Sequence, residues 1–368
     1  MKKVAVLTTH RANNFGAVLQ AFALVMAIGE LGADGMILDW RCPHYEWLYH
    51  RAWRMHRNPV PALKHLLHFL FTERHARKLF ADFRSQFPMS EPIDRREELF
   101  KLEGLFDSFI VGSDQVWNPL NSAVSPQKFD RTYLLDFVKD GRKKNAYAAS
   151  IGVDGIRPKS LVPEFVNAWK SFNIITMREY AGANYVGDMI QQPVHTVLDP
   201  VLLHEKGFWL QFAKQSTKVR KPYVFLYNVR RSSVLHDQAS RYAHEHNVDL
   251  VDVLVPGLDS IPLRGKVTMG PCEFLNAINE AKAVFTNSFH ASAFSMIFGK
   301  LLYLHLRNTG HDPNSRIDTL ILNSEVTPKI FASDSDNQIL LLDCSTADYT
   351  KLRGIRKQSL VLLGKMVN

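Results

Sequence analysis

Apolar positions along the chain come in short runs that end in polar or glycine residues. Between residues 3 and 40, VAVLTT is apolar and β-branched, AVLQAFALVMAIGELG has helical apolar spacing and closes on a glycine, and GMILDW is apolar again. The pattern predicts strand, loop, helix, strand, the start of a parallel sheet built from βαβ units. SFIVGS (108–113), NAYAAS (145–150), NIITMRE (173–179) and HTVLDP (195–200) read as further strands. A second series begins after Lys221: PYVFLYNV and VDLVDVLV as strands, EFLNAINEAK as a helix, AVFTN as a strand, ASAFSMIFG as a helix and LLYLHL as a strand.

Two α/β domains are therefore expected: residues 1–215, with a basic and mostly helical insert at about 41–100, and residues 216–345. The basic residues from Lys214 to Lys221 mark the linker, and a final helix, 346–368, is expected to pack back across the junction. The length, 368 residues, fits two domains, since one hydrophobic core stops growing below that size.

Composition narrows the class. At 46% hydrophobic and 22% charged the chain is an ordinary globular one. Cys42, Cys272 and Cys344 are odd in number, far apart and form no CxxC pair, which argues against a disulfide framework or a zinc site and fits a reducing cytoplasm. The apolar run in MKKVAVLTTH is too short for a signal peptide, and no segment reaches the roughly 20 apolar residues of a membrane span. Net charge is +9, which favours phosphate-bearing partners. From Arg41 to Arg84 there are nine Arg or Lys, three acids and six His, interleaved with Tyr45, Trp47, Trp53, Phe69 and Phe71.

In open parallel sheets ligands sit beyond the carboxyl ends of strands, so polar residues at strand ends are the candidates. THRANNFGAVLQ places Asn14, Gly16 and Gln20 where a strand gives way to a helix whose free amides can hold an anion or a sugar hydroxyl; the plainer role for Asn13 and Asn14 is turn and cap. Neither GxxxxGK[ST] nor GxGxxG occurs, which weighs against nucleotide hydrolysis and dinucleotide binding. SFIVGS runs into DQVWNP, so Asp114, Gln115, Trp117 and Asn118 stand together, a carboxylate, amides and an indole suited to a sugar's hydroxyl edge and apolar face. Arg178 and Glu179 read as an ion pair at a helix start, and Asp199–Pro200 as a turn or a second carboxylate. In TNSFHASAFSMIFGK, Thr286, Asn287 and Ser288 precede His290 in the first turn of a helix, whose positive end suits an anion beside a neutral imidazole able to exchange protons.

NNFGAVLQAFAL, FIVGSDQVWNP, NAYAASIG, TMREYAG, VLDPVLL and TNSFHASAFSMIFGK, in that order, resemble the polysaccharide pyruvyl transferase family, over nearly all of Met1 to about Leu322 apart from the basic insert. The resemblance implies a GT-B-like architecture, two Rossmann-like domains facing across a cleft, with the acceptor on the N-terminal and the donor on the C-terminal side. It implies transfer of pyruvate from phosphoenolpyruvate to a sugar of a cell-surface polysaccharide unit, forming a ketal, with no metal and no cofactor besides that donor. The histidine of the family's Arg-x-His element falls on His290, the expected acid or base, with Asp114 or Asp199 relaying the proton from the sugar; the arginine two residues earlier falls on Ser288. Arg316 is the expected replacement cation, with Arg178 and Arg230 next, and Asn228, Asn287 and Ser288 complete the donor side. Asn14, Gly16, Gln20, Gln115, Trp117, Asn118 and Asp199 form the acceptor side.

The acceptor is expected on a lipid diphosphate, and the basic insert is either a flap over the cleft or a peripheral contact with the inner face of an anionic membrane. Two readings compete: a GT-B glycosyltransferase using a nucleotide sugar, and a non-catalytic sugar-binding member, the latter prompted by Ser288. Nucleic-acid binding ranks last, for want of any recognised module.

Overall fold

A computed structural model describes residues 1–46, 74–119, 123–125, 128–152, 155–214, 222–254, 266–307, 314–333 and 337–368. The first strand, β1 (Lys3–Leu7), is followed by a helix, Phe15–Glu30, and by β2 (Asp34–Ile37) and β3 (Ser108–Val111). A small hairpin of β4 (Ala123–Ser125) and β5 (Lys128–Phe129) precedes β6 (Lys144–Ala149), β7 (Ile174–Met177) and β8 (His195–Thr196). The sheet order is β2-β1-β3-β6-β7-β8, parallel throughout.

The second sheet takes β9 (Tyr223–Tyr227), β10 (Asp249–Val253), β11 (Lys266–Val267), β12 (Ala283–Thr286), β13 (Leu301–Arg307), β14 (Lys329–Ser333) and β15 (Asn337–Asp343) in the order β11-β10-β9-β12-β13-β15-β14. Its first five strands are parallel, and the β14–β15 hairpin adds an antiparallel edge. Each sheet reverses direction of winding once, between β1 and β3 and between β9 and β12, and such reversals are where open α/β sheets leave a crevice.

Helix Phe15–Glu30 joins the two halves. Thirteen of its 16 residues are buried, because it is apolar all round and is covered on every side. Phe15 stacks on Phe274 at 4.2 Å and meets Tyr227 edge-on at 5.4 Å, both from the second half. One continuous core accordingly runs from Val4 and Val6 of β1 to Tyr223 and Phe225 of β9. The last helix, Thr350–Val367, lies across both halves: Ser108 Oγ donates to the Met366 carbonyl (2.6 Å), the Leu198 amide to Ser359 Oγ (3.0 Å), and Lys351 Nζ to the Leu322 carbonyl (2.8 Å).

Two expectations change. The region 42–100 is helical at Arg74–Arg84 and Arg96–Leu99, but between them the chain bridges to the end of β2 and just beyond it, Met89 against Ile37 and Ile93 against Trp40. Pro88 and Pro92 lack the amide a helix interior needs. Residues 47–73, including Trp47, Trp53, Phe69 and Phe71, and linker residues 215–221 lie outside the described residues. The strand read over 195–200 stops at Thr196, since Asp199 caps a short turn that starts at Pro200. Among the described residues, no helix is long and apolar enough to cross a membrane.

Candidate active site between the two sheets

The two winding reversals face one another, and a cavity of about 260 Å³ lies between them. Thr9, Asn14, Asp114 and Gln115 line it from the loops after β1 and β3; Arg230, Asn287, Ser288 and His290 line it from the loops after β9 and β12, and Arg316 closes it. Local sequence explains several of these placements. Asn14 Oδ1 accepts from the Ala17 amide (3.2 Å) and so starts the first helix. Ser288 Oγ accepts from Ala291 N (3.4 Å) and starts the helix Phe289–Ile297, which puts His290 in its first turn. Asn287 Nδ2 donates to Asn228 Oδ1 (2.8 Å), which also accepts from Ser232 N (2.9 Å), so two turns of the second half are tied together.

His290 is 7% exposed and belongs to the second half, yet its ring is held by the first. A Cβ at Gly16 would stand 2.0 Å from His290 Nδ1, so only glycine lets the ring approach the helix there. On the other side Nε2 lies 3.5 Å from Asp199 Oδ2. Asp199 is wholly buried and also accepts from Arg178 Nη1 (2.9 Å) and Ser113 Oγ (3.1 Å). Burial pushes its carboxyl pKa up, but the charges of His290 and Arg178 outweigh this and hold it well below the ordinary range. Arg178 spans two carboxylates: Nη2 donates to Asp114 Oδ1 (3.1 Å), and the guanidinium lies over the Phe289 ring at 4.6 Å.

Asp114 has φ +68°, a left-handed conformation unusual for a residue with a side chain, and Thr9 Oγ1 donates to its Oδ2 (3.2 Å). Burial raises its carboxyl and Arg178, His290 and Arg316 lower it further than that, so it stays ionised. Arg316 shows the opposite strain: burial first, then the charge of Arg178, bring its pKa down to about 10, against the pull of Glu179 and Asp114. It remains a cation at neutral pH, in surroundings that an incoming anion would relieve.

Asn14, Asp114, Gln115, Arg230, Asn287, Ser288, His290 and Arg316 thus meet at one cavity. Other expected residues stand elsewhere. Trp117 is 0% exposed, donates from Nε1 to the Tyr133 carbonyl (2.9 Å) and packs on Trp169, so no sugar reaches its face. Gln20 donates to Thr8 Oγ1 (2.8 Å) inside the first helix's packing, and Asn118 donates to Gln115 Oε1 (2.7 Å). Gly16 and Asp199 flank His290, while Arg178 stands behind Asp114 with its Nη groups on two carboxylates and only 4.0 Å from Glu179 at Nε. Asn228 holds Asn287. The sequence reading passed over Thr9, Tyr45, Val229 and Phe289, which also line the cavity; for Thr9 the signal was present, a polar residue where β1 ends. Among the described residues, no set of three or more His, Cys, Asp or Glu side chains is gathered as a metal ion requires.

Solved structures share the architecture of two facing sheets. A Listeria monocytogenes protein assigned as a UDP-N-acetylglucosamine 2-epimerase matches with TM-score 0.50 at 11% identity, over 88% of this chain and 82% of that one. The UDP-GlcNAc 2-epimerase of Methanocaldococcus jannaschii matches with TM-score 0.46 at 11% identity, over 97% and 99%. An alpha-glucosyltransferase in complex with UDP and a 13-mer DNA matches with TM-score 0.43 at 8% identity, over 98% and 95%. At these identities the likeness is one of fold, the GT-B type. A comparison with curated protein sequences finds no match. The model of one family, described as polysaccharide pyruvyl transferase, matches residues 14–300, from the cap of the first helix past the histidine helix, and the chain belongs to the polysaccharide pyruvyl transferase family.

Proposed function

We propose that the protein transfers pyruvate from phosphoenolpyruvate to two hydroxyls of a polysaccharide sugar, forming a ketal and releasing phosphate. The observation that carries this reading is the meeting of His290 and the ionised Asp114 with Arg230 and Arg316 in one cavity. A small donor bearing both a phosphate and a carboxylate calls for more than one cation, and a guanidinium fork matches either group. Ser288 stands where the family has arginine, and Arg316 supplies a charge to the same space from another helix.

In this reading His290 gives a proton to the donor's methylene carbon, a sugar hydroxyl bonds to the electron-poor central carbon, and the second hydroxyl displaces phosphate. Of the two hydroxyl protons released, one restores His290 and one leaves with phosphate. Asp199 does not reach the sugar but fixes the imidazole from behind. Asp114, held ionised by Arg178, accepts hydrogen bonds from the sugar and orients it.

The test is calorimetric titration with phosphoenolpyruvate and assay of phosphate release. Binding is expected in the native protein and weaker in Arg316→Gln, and His290→Ala should lose at least about tenfold in turnover with binding retained. Absence of phosphoenolpyruvate binding together with saturable binding of a nucleotide sugar would replace this reading with glycosyl transfer.

A further inference from the structure

On the far side of the loop Thr8–Asn14 from the catalytic cavity lies a groove of about 470 Å³, lined by Arg11, Arg77, Lys78, Arg84 and Ser85 among others and, among the described residues, by no acidic side chain. Arg84 is 6% exposed, a buried cation at the end of helix Arg74–Arg84. Its hydrogen-bond partner is neutral, Asn13 Oδ1, which accepts from Nη1 at 3.0 Å. Among the described residues no carboxylate lies within ion-pair distance of it. The nearby acids are engaged: Asp39 with His10 (2.9 Å) and Arg11 (3.4 Å), and Glu46 with Arg11 (2.8 Å).

A buried guanidinium without a counter-charge is costly, and more so beside like charges. Burial, then the charge of Arg11, bring Arg84 down to about 10 even with Asp39 and Glu46 in reach. The carbonyl end of its own helix offers only about half a negative charge. Arg77 and Lys78 border the same space, and Arg11 reaches it while paired with Asp39 and Glu46.

We infer that this groove is a second anion site, separate from the catalytic cavity, that holds a phosphoryl group on Arg84 with Arg11, Arg77 and Lys78 around it. The site does not depend on the identity of the donor. It is coupled to the cavity through the loop itself: Arg11 lines the groove and Asn13 carries Arg84, while the intervening Ala12 and the following Asn14 line the cavity. A ligand that bears phosphate at one end and sugar at the other could use both sides of that loop.

The experiment is calorimetric titration of the full chain with inorganic pyrophosphate, in the native protein, Arg84→Gln, the double variant Arg77→Gln/Lys78→Gln, and Arg316→Gln. Binding is expected to persist in Arg316→Gln, which reports on the cavity, and to weaken by at least about tenfold in Arg84→Gln and in the double variant. It should also fall with added salt. Sedimentation with phosphatidylcholine vesicles containing phosphatidylglycerol separates the sources: vesicle binding that pyrophosphate competes away means that lipid headgroups reach the groove, and pyrophosphate binding without vesicle binding means a soluble phosphate ester. Equal pyrophosphate affinity in the native protein and the double variant, or binding lost only in Arg316→Gln, would overturn the inference. The double variant changes residues at the helix surface, so the result stands even where Arg84→Gln does not fold.

Discussion

A methyl group added at Gly16 would stand 2.0 Å from His290 Nδ1, and the ring has Asp199 on its other side. The ring would have to move. Gly16→Ala is therefore expected to lower turnover of the proposed transfer about a hundredfold, since an ångström of misplacement costs that much, while overpacking removes only about 1–3 kcal/mol of stability. Unchanged kcat in a folded Gly16→Ala protein would contradict the geometry. Asp199→Asn acts on the same ring through charge. The folded carboxyl of Asp199 lies below its unfolded value of about 3.9, so its contribution is present in full above that pH and is lost as pH falls through the folded value. Removing it should cost about 3–5 kcal/mol at neutral pH, because Arg178 is left buried with one partner fewer. Urea unfolding at neutral and acid pH should show the gap between variant and native closing on acidification; a gap that widens would reverse the assignment. Gly16, Asp114, Ser288 and His290 were legible in the sequence, because strand ends and helix starts mark themselves by residue type. Trp117 was misread as a sugar platform: its burial is set by Trp169 and Tyr133, partners that no local pattern reveals.

Among the elements, the helix Phe15–Glu30 was readable from its apolar spacing, and its unusual apolarity, with no charged residue before Glu30, already marks an element covered all round. What covers it was not readable, since Phe274, on helix Pro271–Glu280, and Tyr227, on β9, come from the half read as a separate unit. Phe274→Ala should cost about 3–5 kcal/mol in denaturant unfolding, as for a residue at the centre of a core; a loss below about 1 kcal/mol would mean that the two halves are only loosely apposed. The β14–β15 hairpin escaped the sequence reading because KIFAS is short and mostly exposed, and it pairs antiparallel where the preceding strands set a parallel expectation. Helices Ser233–Glu245 and Ser315–Ser324 were also not read from the sequence. The last of these carries Arg316 into the cavity, a placement that spacing does not encode.

At the scale of the whole molecule, alternating strands and helices announced two α/β units, and the continuous core from β1 to β9 leads to the expectation that they unfold as one cooperative body. All six tryptophans, the last at Trp209, precede β9, so their fluorescence reports on the first half while circular dichroism reports on both. The two signals should follow one coincident urea transition; separated midpoints would show halves that unfold independently. The same shared core bears on synthesis. About 260 residues separate Phe15 from Phe274, and at about 5–20 residues per second a ribosome needs roughly 13–50 s to make them. For that time the first helix has its own sheet but not its outer cover, and a greasy face waits at the tunnel exit. Newly made chains should therefore lean on chaperones early, and the histidine that the site is built around is fixed only when the chain is nearly finished.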